Sequence, residues 1–200
     1  MSNRFLFCAF WFFGLGLYAQ NFDSTILRSI HVNRNTNFDA TFEHITNSYA
    51  VVSVGAPLVL YTAGLLNKDK QLQKEAIGMV ESVAGAVFMT VALKETIKRD
   101  RPFERYPEIQ KLTSAGGYSF PSGHTSIAFA TATSLSLSHP KWYVIVPSFI
   151  WASSVGYSRM HLGVHYPTDV IAGALIGSGS AYLTYKINKW IDKKKKKEVL

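Results

Sequence analysis

Two histidines, each set among basic or small residues, carry the chemistry this sequence offers. His124 closes Pro121-Ser122-Gly123-His124, directly ahead of an apolar run. Proline suits the first turn of a helix, whose N–H groups lack internal partners. Gly123 at such a start leaves bare backbone donors and allows close approach, and the helix end adds partial positive charge. Together these suit an anion, beside which His124 can give or take a proton. His165 stands in Ser158-Arg159, five residues, His165, three residues, Asp169. Asp169 is close enough to hold the far imidazole nitrogen, fixing the tautomer and supporting a positive ring. Gly163 and Pro167 turn the chain before this aspartate, and Thr168 is placed to cap the helix that follows.

A third stretch, Lys94-Glu-Thr-Ile-Lys-Arg-Asp-Arg101-Pro102, adds cations. Seven residues make two helical turns, so Lys94 and Arg101 are expected on one face about 10 Å apart along the axis. Pro102 then stops the helix. Ammonium groups and guanidinium forks suit the oxygens of a phosphate. A nucleophile, an acid and anion-stabilising donors are the parts of phosphoryl transfer. Taken singly, the same stretches also read as a basic interfacial patch, a helix cap with a surface histidine, and a capped turn with an ion pair. Lys98, Arg99 and Arg105 are assigned to such a patch. His161 is given a loop or supporting role, Glu81 an interfacial one, and His31, His44 and His139 show no partner pattern.

The elements that must position these residues are apolar helices. Residues 1–19 combine a basic start, a short apolar stretch and a small residue at Ala19, the pattern of a secretory signal peptide. Residues 20–47 are polar with spaced apolar positions, which predicts one or two amphipathic helices at an interface, with a turn over Asn33 to Asn37. Five candidate spans follow: Tyr49–Leu66, Ala76–Leu93, Ser126–Ser138, Trp142–Tyr157 and Val170–Tyr185. Gly173, Gly177 and Gly179 in the last permit close helix contacts. The expected organisation is a membrane domain over residues 48–192 with a lysine tail over 193–200. Net charge is +8, yet charged residues form only 17% of the chain, so the basic residues stand between long uncharged runs. That placement points to lipid and phosphate rather than nucleic acid. Seven lysines after Tyr185 hold the tail in the cytoplasm by the positive-inside tendency. Counting spans back from there puts all three basic or histidine-bearing stretches on the outer side. The one cysteine, Cys8, excludes an intramolecular disulfide and any cysteine metal cluster.

In order, K-x6-R-P, P-S-G-H and S-R-x5-H-x3-D resemble the motifs of the type 2 phosphatidic acid phosphatase family, which shares its core with vanadium haloperoxidases and bacterial class A acid phosphatases. The motifs lie between residues 94 and 169, and the helical frame extends the resemblance over roughly residues 48–186. The resemblance implies an all-α, polytopic membrane bundle of about five spans, no metal or other cofactor, and a phosphohistidine intermediate. It makes His165 the nucleophile, Asp169 its orienting partner and His124 the acid that later activates water. Lys94, Arg101, Ser122, Gly123 and Arg159 would bind phosphate oxygens. The expected substrate is a lipid phosphate at the periplasmic face of a bacterial inner membrane: phosphatidic acid, phosphatidylglycerol phosphate, undecaprenyl diphosphate or lipid A. The alternatives are a soluble periplasmic acid phosphatase of the class A type and a non-catalytic binder of lipid phosphates; a haloperoxidase suits so short a chain less well.

Overall fold

A computed structural model of the chain describes residues 22–198, with side chains through residue 195. The expected signal peptide and Cys8 lie outside the described residues. A short helix α1 covers residues 22–31, and a 3-10 turn at Thr36–Phe38 leads into α2 (Asp39–Leu66). Then come α3 (Lys70–Ile97), the single turn α4 (Pro102–Arg105), α5 (Gly123–Ser138), α6 (Trp142–His161) and α7 (Pro167–Glu198). No strand occurs among the described residues.

Local chemistry explains the boundaries. Asn35 accepts from the Asn37 amide and so starts the 3-10 turn within the expected Asn33–Asn37 bend. The second expected amphipathic helix does not stand alone, because residues 39–47 are the first turns of α2. Asp39 anchors that start through Arg34 at 3.0 Å and His161 at 2.8 Å. Asp69 caps α3 by accepting from the amides of Gln71 and Leu72. α3 ends at Ile97, where Lys98 takes a left-handed conformation and its N–H returns to the Lys94 carbonyl. Pro102 therefore opens α4 instead of stopping α3, and Arg101 stands beyond the helix that carries Lys94. The expected shared helical face is corrected accordingly.

α5 is the hub. Its Thr125, Ser126, Ala128, Ala130, Thr131 and Ala132 are buried, and the other long helices surround it. Small residues let α7 come close. A methyl group at Gly177 would lie 2.1 Å from the Ser126 carbonyl oxygen, and one at Gly173 would lie 2.6 Å from that of Ser122. Gly179 has open space beside it and plays no such part, contrary to expectation.

The outer surface is apolar on every surrounding helix. Val51 and Leu58 on α2, Phe88 on α3, Ile150 on α6, and Leu175 and Leu183 on α7 are all more than half exposed. So much outward-facing hydrocarbon suits lipid contact. Two segments, Thr36–Leu66 and Lys70–Arg105, are long and apolar enough by length and composition to cross a bilayer. Successive long helices alternate in direction. The starts of α2, α5 and α7 and the ends of α3 and α6 thus gather at one end of the bundle.

Candidate active site

The three sequence stretches meet at that end. Arg101 Nη1 lies 3.3 Å from His165 Nε2, joining the first stretch to the third. The Ser122 amide donates to the Asp169 carbonyl at 3.0 Å, joining the second to the third. Lys94 Nζ donates to the Tyr118 carbonyl, whose oxygen also lies 3.4 Å from Arg101 Nη2. His124 is within electrostatic range of His165, Lys94, Arg101 and Arg159. The two imidazoles thus face one site rather than opposite ends of the bundle.

Each group has a local reason for its position. His165 sits in the loop after α6, where Gly163 at φ +73° turns the chain. Its backbone is fastened by the amides of Val164 and His165 donating to the Arg159 carbonyl, at 3.1 and 3.3 Å. His165 Nδ1 faces Asp169 Oδ2 at 3.3 Å, so the Nδ1–H tautomer leaves the Nε2 lone pair toward Arg101. Burial pushes the His165 pKa down to about 3, against the opposing pull of Asp169, so the ring is neutral near pH 7. A neutral imidazole has its lone pair free for attack.

Asp169 is fully buried, at 0% exposure, and every bond it accepts constrains it. Oδ2 accepts from Ser119 Oγ at 2.5 Å and the Tyr166 amide at 2.9 Å, while Oδ1 accepts from Arg99 Nη1 at 2.7 Å. Arg99 also reaches Asp23 Oδ2 at 2.5 Å and lies 3.8 Å over the Tyr166 ring. Asp23, on α1, accepts from the Thr168 amide at 2.9 Å and the Thr168 hydroxyl at 2.5 Å. The expected cap by Thr168 is replaced by Asp23, which binds the first turn of α7 from 145 residues away. Arg99 is thus no surface patch. It clamps the aspartate behind the histidine.

The remaining cations are held by neutral oxygens, which leaves their charge uncancelled. Arg101 donates to the carbonyls of Gly116, Gly117 and Val164 at 2.8 to 2.9 Å. Arg159 is 1% exposed and spans Thr46 Oγ1 at 2.8 Å and the Ser114 carbonyl at 3.3 Å. Its buried Nε has no hydrogen-bond partner among the described residues, a costly state that an incoming oxygen would relieve. Pro121 precedes the helix rather than entering its first turn, and Ser122 is the N-cap. The Ser122 hydroxyl accepts from Thr125 and makes no cap bond to the backbone, so the first-turn amides from Gly123 stay open to an anion. A methyl group at Gly123 would meet only the Thr90 methyl at 3.7 Å, so space exists there. His124 packs against Tyr49 with ring centroids 3.9 Å apart. Among the described residues, no group of three or more His, Cys, Asp or Glu is placed to hold a metal ion.

Sequence reading missed Asp23, Arg99, Ser119, Tyr49 and Thr46, since each acts through contacts far away in the chain. It also missed the inner role of His31. That ring, at the end of α1, is fully buried, its Nδ1 2.8 Å from the His161 carbonyl and its Nε2 accepting from the Gln110 amide. His161 itself holds Asp39, a supporting role as expected, and Glu81 pairs with Asn188 far from the site.

Known proteins resemble this chain. Residues 75–193 match the family model of the PAP2 superfamily. An undecaprenyl-diphosphatase of Sulfolobus acidocaldarius is 38% identical over 119 residues, covering 59% of this chain and 57% of that protein. A lipid A 4'-phosphatase of Bacteroides thetaiotaomicron is 39% identical over 72 residues, covering 36% of this chain and 32% of its relative. The matched stretch thus spans between about a third and three fifths of these curated relatives. The crystal structure of a transmembrane PAP2-type phosphatidylglycerolphosphate phosphatase from Bacillus subtilis superposes with a TM-score of 0.73 at 25% identity, covering 93% of this chain and 95% of that one.

Proposed function

Because this chain belongs to the PAP2 superfamily, we propose that it is a metal-independent membrane phosphatase that hydrolyses lipid phosphate monoesters or diphosphates through a phosphohistidine. The reading rests on one observation above all. Asp169, His165 and Arg101 stand in line, and Ser122 ties the Gly123–His124 helix start to the same aspartate.

In this mechanism the phosphoryl oxygens enter among Lys94, Arg101, Arg159 and the first-turn amides of α5. His165 Nε2 attacks phosphorus while the bond from phosphorus to the leaving oxygen breaks. Burial and the nearby cations keep His124 neutral before substrate enters. It gains a proton as the phosphate's negative charge arrives beside it and passes that proton to the leaving oxygen, because an alkoxide is a poor leaving group. His124 then takes a proton from water, whose oxygen attacks the phosphohistidine and releases inorganic phosphate. Asp169 keeps Nδ1 protonated and balances the ring's positive charge during both steps. Lys94, Arg101 and Arg159, which make no ion pair with a carboxylate among the described residues, supply the transition-state stabilisation.

The apolar belt on α2, α3, α6 and α7 favours a bundle of about five spans over a soluble acid phosphatase. A lipid could then reach the site sideways from the bilayer. The lysines around the α2–α3 turn and at the end of α7 lie at the opposite end of the bundle, which supports a periplasmic site in an inner membrane. The deciding experiment is phosphate release from purified lipid phosphates and diphosphates in detergent, with His165→Ala as the blank. Turnover of at least one lipid by the parent alone supports the reading. Release by His165→Ala at the parent rate refutes it.

A further inference from the structure

Away from His124 and His165, at the other end of the bundle, α3, α5 and α7 part around a cavity of about 410 Å3. Its inner wall sets buried hydroxyl-bearing residues, Ser82 and Ser134, among the apolar Met79 and Ala181. Ser134 on α5 lies there, 8% exposed, with its Oγ buried and without a hydrogen-bond partner among the described residues. A hydroxyl left in that state is costly unless a ligand or water meets it. Ser138 and Thr184 add hydroxyl-bearing side chains to the lining from α5 and α7.

The charges at the mouth sort by what they already hold. Lys74 is paired with Asp192 at 2.7 Å. Glu75 accepts from Gln71 at 2.9 Å and faces His139 at 3.5 Å. Lys189 and Lys193, one helical turn apart on α7, both line the cavity and have no carboxylate partner among the described residues. Lys189 instead lies 5.6 Å from the Tyr185 ring centroid. Asp192 is thus neutralised by Lys74, while Glu75 keeps its carboxylate charge against the two remaining ammonium groups. Three lysines against two carboxylates leave the lining net positive, which favours an anion.

We propose that this cavity binds a phosphate-bearing polyol headgroup. Lys189 and Lys193 meet the phosphate oxygens, and the hydroxyl of Ser134, with those of Ser138 and Thr184, meets the polyol. The site is separate from the histidine cluster and does not depend on the catalytic reading. Its ligand chemistry has two sources, a phospholipid headgroup or a free phosphate ester.

Native mass spectrometry of the full-length protein in detergent tests this, with short-chain phosphatidylglycerol in one arm and glycerol 1-phosphate in the other. Lys189→Gln/Lys193→Gln is compared with Lys194→Gln/Lys195→Gln, which removes equal charge from residues that do not line the cavity. The first pair is expected to weaken binding about tenfold and the second by less than about twofold. Ser134→Val, which fills the inner wall and leaves every charge in place, also weakens binding, with its unfolding midpoint recorded alongside. Response in the lipid arm alone identifies a membrane headgroup, and response in both arms identifies a soluble ester as a ligand too. Equal weakening by the two lysine pairs overturns the proposal, as does unaltered binding by a folded Ser134→Val protein. Phosphate release stays at the parent rate in the Lys189→Gln/Lys193→Gln protein.

Discussion

Arg99→Gln removes the guanidinium that joins two buried carboxylates, Asp169 at 0% and Asp23 at 1% exposure. Breaking a buried ion pair from one side costs about 3–5 kcal/mol, because a charge is left without its partner. Here Asp169 keeps Ser119 and the Tyr166 amide, and Asp23 keeps Thr168, so the low end applies, about 3 kcal/mol. For a chain of this size that lowers the unfolding midpoint by about 6–12 °C. Activity falls as well, since Asp169 loses the ligand that fixes Oδ1 and the carboxylate is freer to turn away from His165; a loss of about tenfold to a hundredfold in kcat/KM is expected. The assay is tryptophan-fluorescence melting in detergent beside phosphate release from a lipid phosphate across pH. A merely structural arginine would change the midpoint alone. A positioning arginine also moves the acid limb of kcat/KM to higher pH, because the lost cation no longer favours ionised Asp169. Arg99→Lys restores part of both losses, as one ammonium cannot fork between the two carboxylates. A midpoint within about 2 °C of the parent, with unchanged kcat/KM and pH profile, would refute the clamp.

Other outcomes follow from single contacts. Gly123→Ala folds normally, since its methyl group has room beside Thr90, yet loses at least about tenfold in kcat/KM by occupying the anion's place; full activity would show that the helix start is not the cradle. Gly177→Ala pushes a methyl group against the backbone of α5, and a loss of more than about 3 kcal/mol, read by denaturation in detergent, is expected. Burial holds the pKa of His165 at about 3 in the folded protein, below the usual histidine value of about 6.5, so the unfolded chain binds the extra proton between those limits. Stability therefore falls as pH drops through that window, and His165→Asn flattens the decline measured by melting. His31 and His124, whose pKa values burial also lowers, keep a residual slope in that variant. Catalysis survives a chelator, because Lys94, Arg101 and Arg159 meet the phosphate charge; strict dependence on added magnesium would count against the mechanism.

What could be read from the sequence was set by the distance over which each signal acts. Helix existence was legible because long apolar runs impose it locally, and the motif residues were legible because their types and spacing are specific. Helix ends were less so. The left-handed cap at Lys98 depends on how the following loop docks, and nothing near Lys94 shows that α3 stops before Arg101. The Arg99–Asp23 clamp joins residues 76 apart and the Asp23–Thr168 cap joins residues 145 apart, so no local pattern carries either one. Arg99 looks the same as Lys98 and Arg105 until α1 is folded over it. Gly173 and Gly177 match the expected small-residue contacts, while Gly179 fails because only one face of α7 meets α5.

The account stands or falls on a covalent phosphoryl group carried between two imidazoles. Transfer of the phosphoryl group from a lipid phosphate monoester, made chiral at phosphorus with the three oxygen isotopes, to an added acceptor alcohol tests this most directly. Attack by His165 followed by attack of the alcohol inverts the phosphorus twice, so the account predicts a new monoester formed with net retention. Net inversion would mean that the acceptor displaces the leaving group in one step, and would contradict it.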